Sequence, residues 1–133
     1  MNLEQEKERA LTFLKNLEKF EEKTYADMIT DDFEFELMGR LPGFEEPVRG
    51  KEVFLKWVPA LLKELLPNPL NMMFHSVIAE GPQVAIQASS DTTASNGKKY
   101  ANRYHFYFLF RGDKIAQVRE YLDSNHVREV FMT

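Results

Sequence analysis

The sequence predicts an α+β fold, a cone-shaped, barrel-like arrangement in which a curved, mostly antiparallel sheet wraps around three helices and encloses a central cavity. Three observations predict it. Helical periodicity dominates the first half, interrupted by one alternating strand. From residue 71 onward the chain reads as strand after strand joined by tight turns. The length, 133 residues, suits a single core and is too short for two, so 1–133 is expected to form one domain. Helices laid on one face of a bent sheet leave a hollow between the layers, and such hollows take small molecules.

Residues 3–21 place Leu3, Ala10, Leu11, Leu14, Leu17 and Phe20 at helical spacing, with charges between them. Thr24 is the expected cap of a second, short helix over 25–29. In 32–37, Phe33, Phe35 and Leu37 alternate with Asp32, Glu34 and Glu36, the pattern of a strand with one buried face. Residues 39–50 carry three Gly and two Pro and form a loop placed to act as a lid. A third helix repeats Val53, Phe54, Trp57, Val58, Leu61, Leu62 and Leu65. It is kinked at Pro59 and stopped by the Pro-Asn-Pro of 67–69. Strands are expected over 71–80, 83–94, 98–111 and 114–122, the last two joined at Gly112 and Asp113. A closing helical turn follows, capped by Asp123 or Ser124.

Composition narrows the function. The net charge is −4, and Lys7, Lys15, Lys19 and Lys23 are interleaved with acids, a solvated face rather than a phosphate-binding stripe, so no nucleic-acid partner is expected. With no cysteine there is no disulfide, thiolate metal site or Cys nucleophile. The N-terminal stretch has no apolar signal core, and Lys63 and Glu64 interrupt the longest apolar run. Neither secretion nor a membrane span is predicted, and the expected compartment is the cytoplasm. No cofactor is expected, because no Gly-rich phosphate loop or cofactor motif occurs. No metal is expected either: the three histidines lack ligand spacing, and only a His75, His105, Glu120 grouping on adjacent strands is conceivable.

Glu120 is the residue that does not fit its surroundings. A two-residue loop at Gly112 and Asp113 sets His105 opposite Glu120, Tyr107 opposite Val118 and Arg103 opposite Leu122, all on one face. The other face carries Tyr104, Phe106 and Phe108. Both faces are rich in apolar groups, which a sheet wetted on one side would not be. Helices cover one of them, and a second copy of the chain is the expected cover for the other. That reading predicts a homodimer through the sheet at Tyr104, Phe106 and Phe108. Glu120 then faces the helices, partly desolvated by Val118, Leu122 and Tyr107, with its pKa raised toward values useful for proton transfer. A structural ion pair with His105 or Arg103, or a carboxylate pointing out at the frayed rim of the sheet, is the competing reading. His75, among Met73, Phe74 and Val77, reads first as a core histidine.

The stretch "NGKKYANRYHFYFLFRGDKIAQVREYLDSNHVREVF" resembles the nuclear-transport-factor-2-like superfamily, in its SnoaL-type polyketide-cyclase and ketosteroid-isomerase-like branch. The pattern is G-K-x-Y, an aromatic strand, G-D-K-I, then R-E-Y-L-D and a closing helix. The resemblance implies that the acid of R-E-Y-L-D, Glu120, faces the cavity as base or acid. In the related limonene-epoxide-hydrolase branch an Arg and an Asp stand on the strand ahead of G-K-x-Y. Counting back places them on Gln87 and Ser89, neutral here, and that branch's water-positioning Tyr and Asn fall near the apolar Phe35 and Leu37. Epoxide hydrolysis of that kind is therefore not expected, and the ketosteroid-isomerase oxyanion hole cannot be placed residue by residue.

The chemistry left is proton transfer on a small hydrophobic carbonyl compound by a cofactor-independent isomerase, cyclase or dehydratase. Glu120 and His105 are its candidate catalytic groups, and Gln87, Ser89 and His75 its hydrogen-bonding groups. Phe35, Leu37, Trp57, Leu61, Met73, Tyr107 and Val118 are its candidate walls. A non-catalytic small-molecule-binding or dimerisation module on the same scaffold is the alternative.

Overall fold

A computed structural model describes residues 1–19 and 22–132, so the expectation for Phe20 lies outside the described residues. Helix α1 (Leu3–Lys19) turns Ala10, Phe13, Leu14 and Leu17 inward. Helix α2 (Glu22–Met28) leads directly into β1 (Ile29–Leu37), and Thr24 lies within that helix rather than at its cap. A short β2 (Val48–Arg49) precedes α3 (Lys51–Leu65), which runs on through Pro59 and buries Phe54, Val58 and Pro59. Then come β3 (Met73–Glu80), β4 (Gln83–Ser89), a small hairpin of β5 (Thr92–Thr93) and β6 (Lys99–Tyr100), β7 (Arg103–Arg111) and β8 (Lys114–Leu122). Helix α4 (Ser124–Phe131) closes the chain, its first turn capped by the Asp123 carboxylate, which accepts a hydrogen bond from the His126 N–H.

The architecture is α+β, with four helices among the described residues rather than the expected three. The main sheet has six strands in the order β2-β1-β8-β7-β4-β3. It is mixed: β1 runs parallel to β8, and every other neighbouring pair is antiparallel. The long strands expected over 83–94 and 98–111 each break, and the pieces between them pair as β5 and β6.

The register of the last hairpin departs from the simple expectation. Next to the turn, Phe110 pairs with Ile115, as a two-residue loop requires, but from Leu109 onward the pairing shifts, with Leu109 opposite Gln117 and Phe106 opposite Glu120. Ala116 is the extra residue of a β-bulge. Its cause is legible in the side chains. Without the bulge, Ile115 and Val118 would point to opposite faces, and the ladder Tyr104, Phe106, Phe108, Phe110 could not share a face with both. With it, all of them point inward, and Ile115 and Val118 are fully buried.

The predicted dimer contact is corrected by that shift. Tyr104, Phe106 and Phe108 are 8%, 2% and 0% exposed, packed beneath the helices of their own chain. Phe108 meets Phe13 edge-on, and Phe13, Tyr25, Phe33, Phe35 and Phe54 continue the cluster. The outer face of the sheet carries Met73, His75, Ile78, Gln87, Arg103, His105 and Tyr121, all exposed.

Candidate functional site

The aromatic cluster fills one end of the space between helices and sheet. At the other end the packing opens into a cavity of about 140 Å³. Its floor is the sheet, through Phe35, Leu37, Glu120 and Leu122, and its roof is the second half of α3, through Val58, Leu62 and Leu65, with Leu66 just past its end. The loop after β1 contributes Phe44 and Glu46, β2 adds Val48, and α4 closes the side with Val127 and Phe131. Leu62 and Leu66 also line a second cavity of about 50 Å³, which reaches Leu14, Leu17, Leu70 and Met72. Glu120 and Tyr100 line both.

Strand pairing fixes where Glu120 points. On one side it sits opposite Leu37 of β1, on the other opposite Phe106 of β7, so it shares the inner face with both. It is half-buried, because the accessible part of its surface opens onto the hollows that it lines. The carboxylate makes no hydrogen bond or ion pair with any described residue. Burial alone pushes its pKa up to about 7. No Lys, Arg or His lines either cavity among the described residues, so nothing inside offsets its negative charge.

Two tyrosines stand next to it. Tyr104 Oη hydrogen-bonds Ser90 Oγ at 2.8 Å and donates to Tyr100 Oη at 3.4 Å. Asn102 Nδ2 donates to Tyr100 Oη at 3.0 Å, while Asn102 Oδ1 accepts from the backbone N–H groups of Arg103 and Asp123. Asn102 thereby ties the start of β7 to the end of β8, on either side of the tyrosine pair. Burial raises the Tyr100 hydroxyl to about 12 and also raises that of Tyr104 well above its usual value, and the Glu120 charge adds to both shifts. Both hydroxyls stay protonated at neutral pH, and because Tyr104 donates to Tyr100, it is the Tyr100 hydrogen that is available to a ligand.

The sequence-predicted residues divide between the two faces of the sheet. Glu120, Phe35 and Leu37 line the larger cavity, and Val118 is fully buried in the core beside them. His105 is corrected: the bulge puts Tyr121 opposite it and turns its ring to the outer face. Tyr107 goes outward by the same shift, its hydroxyl donating to Gln83 Oε1 at 2.9 Å and its ring lying under Arg119. Gln87 and Ser89 point outward because β4 turns Val84, Ile86 and Ala88 inward. His75 is no core histidine; its Nε2 meets Ser89 Oγ at 2.8 Å on the exposed face. Met73, paired with Ser89, is 62% exposed. Trp57 is 61% exposed on the solvent side of α3, because the inward stripe runs through Phe54, Val58 and Leu62. A His75, His105, Glu120 metal site is not assembled, and no group of three or more potential ligands occurs among the described residues.

Tyr100 and Tyr104 were the residues overlooked as site groups. The available signal was the period of two in Tyr100, Asn102, Tyr104, which places all three on one face across the break between β6 and β7.

Sequence and structure comparisons agree on kinship. The sequence profile of the SnoaL-like domain matches residues 12–118. No match appears among curated proteins. A candidate SnoaL-like polyketide cyclase from Jannaschia sp. CCS1 superposes with a TM-score of 0.83 at 17% identity, covering 96% of this chain and 92% of that one. A candidate isomerase from Bacillus subtilis gives 0.83 at 19% identity, with 99% and 96% covered. An epoxide hydrolase of the limonene-epoxide-hydrolase-like type from M. tuberculosis gives 0.78 at 15% identity, with 98% and 91% covered. At these identities the structures share the fold with this chain, and the residues of the cavity decide the rest.

Proposed function

The chain belongs to the family of SnoaL-like domains, and from that premise we propose that it is a cofactor-independent enzyme that moves a proton on a small, uncharged carbonyl compound. The reaction class is isomerisation, cyclisation or dehydration, with Glu120 as the proton carrier. The observation that carries this reading is an unpartnered carboxyl at the meeting point of two apolar hollows, with a pKa near neutrality. A carboxylate held there for structure would have a cation or hydrogen-bond donors beside it. An acid poised at about 7 exchanges protons efficiently in both directions.

In outline, the Glu120 carboxylate takes a proton from the carbon next to the carbonyl, and the electron pair of that C–H bond moves onto the carbonyl oxygen. A tyrosine hydroxyl, with Tyr100 on the cavity wall as the nearest candidate, donates a hydrogen bond to that oxygen as it gains charge. Protonated Glu120 then returns the proton, either to another carbon or to a departing hydroxyl. The apolar walls keep water from levelling the two acids.

The test is deuterium exchange at the α-carbons of cyclohexanone in heavy water, followed by NMR. The wild type is expected to accelerate exchange, with a rate that rises with pH and levels off above about 7. Glu120→Gln should lose at least a hundredfold. A Glu120 titration near the free value of about 4.3, with no exchange, would support the non-catalytic binding module instead.

Two further readings accompany this one. Among the described residues no helix is long and apolar enough to cross a membrane, and we place the protein in the cytoplasm. We also propose that copies pair through the outer sheet face, where Met73, Ile78 and Tyr121 stand exposed, rather than through the buried ladder.

A further inference from the structure

The two hollows share one acid and one hydroxyl, Glu120 and Tyr100, in their linings, and their sizes differ. A dry cavity of about 150 Å³ holds a single benzene ring, or roughly 25 Å³ for each heavy atom. On that scale the larger hollow, about 140 Å³, takes one six-membered ring. The smaller, about 50 Å³, takes about two further heavy atoms. Neither has a cation among its described lining residues, and Glu46 adds a second acid to the wall of the larger, so an anionic ligand has no counter-charge.

We propose that the two hollows are compartments of one ligand site, and that it selects an uncharged ketone made of one six-membered ring and a two-carbon arm whose first carbon is the carbonyl. The carbonyl sits where Glu120 and Tyr100 face both compartments. This inference rests on the proton-transfer reading of Glu120 for the placement of the carbonyl. Leu62 and Leu66 are the specificity-determining residues, since they too line both compartments. The arm's second carbon, next to the carbonyl, is the one whose proton lies within reach of the acid, which makes the selected shape the reactive one.

A series of phenyl carbonyl compounds reads the shape directly: benzaldehyde, acetophenone, butyrophenone and hexanophenone, with 2-acetylnaphthalene as an oversized ring. Binding is measured by calorimetry or NMR titration on the full chain. Affinity should rise about fourfold from benzaldehyde to acetophenone, the value of one buried carbon. It should fall by hexanophenone and be weak for the naphthyl ketone. Leu17→Phe, which fills the smaller compartment, should move the optimum back to benzaldehyde. Met72→Phe serves the same purpose should Leu17→Phe fail to fold. Leu66→Ala should admit the naphthyl ketone.

A series that climbs steadily with hydrophobicity through hexanophenone and the naphthyl ketone overturns the proposal. So does a filling variant that weakens every member equally. Repeating the series with Glu120→Gln separates the two claims. A peaked series without α-proton exchange in the wild type keeps the two-compartment site and removes the chemistry, whereas exchange with a flat series does the reverse.

Discussion

Glu120 costs the fold stability, and the sign of that cost can be worked out. Its folded pKa, about 7, lies above its unfolded value of 4.5. Below pH 4.5 both states are protonated and the residue is harmless. Between the two values the unfolded chain ionises while the folded one does not, so stability falls as pH rises. Above about pH 7 both are ionised, and the loss is constant at about 3 kcal/mol. Glu120→Gln should therefore be more stable than the wild type above pH 7 and equal to it at pH 4, when denaturant midpoints are compared at each pH. Equal midpoints across the range would mean that the carboxyl is solvated. Tyr100→Phe keeps the ring and its stacking on His126 while removing the donor. It should lower the exchange rate by roughly ten- to a hundredfold with little effect on ketone affinity. A matching loss of binding would make Tyr100 a wall and nothing more.

At the level of the elements, the last hairpin decides which side of the sheet is inside. Deleting Ala116 removes the bulge yet leaves Gln117 alternating between Ile115 and Val118, so Val118, Glu120 and Leu122 stay inward. The expected result is a chain that still melts cooperatively, whereas one Ala inserted between Val118 and Arg119, which turns Glu120 and Leu122 outward, should abolish the cooperative transition. Phe108→Ala should cost about 3–5 kcal/mol, as expected for emptying a fully buried aromatic site. The hairpin also shows what the sequence could and could not reveal. The turn at Gly112 and Asp113, the extent of the final strand and the alternation of 33–37 follow from local chemistry and stand in the structure. The bulge does not, because it arises from a competition among Ile115, Val118 and the aromatic ladder for one face, and only the packed core settles it. His105 and Tyr107 were misplaced by that one residue of register, and Tyr104, Phe106 and Phe108 with them. Trp57 was misplaced for a similar reason: an apolar helix with residues at every third and fourth position offers two adjacent stripes, and the core selects one.

Over the whole molecule, the outer sheet face is left uncovered by the helices of the chain. It mixes apolar Met73 and Ile78, the latter 63% exposed, with His75, Gln87, Arg103 and His105. If two copies meet there, Ile78→Arg should turn a dimer into a monomer in light scattering while leaving the melting of each subunit nearly unchanged. A wild type that is already monomeric at high concentration would remove that surface from consideration.

The position of β8 between β1 and β7 has a consequence for how the protein is made. During synthesis, β1 and β7 emerge from the ribosome before the strand that joins them, so each presents an unpaired edge with phenylalanines on one side. A chain cut short before Lys114 therefore has two sticky edges and lacks Glu120. Its expected fate is aggregation or degradation rather than survival as a partly active fragment. Arrival of the final strand closes the sheet and delivers the carboxyl in the same step, so that completeness of the polypeptide and competence of the site are tested together.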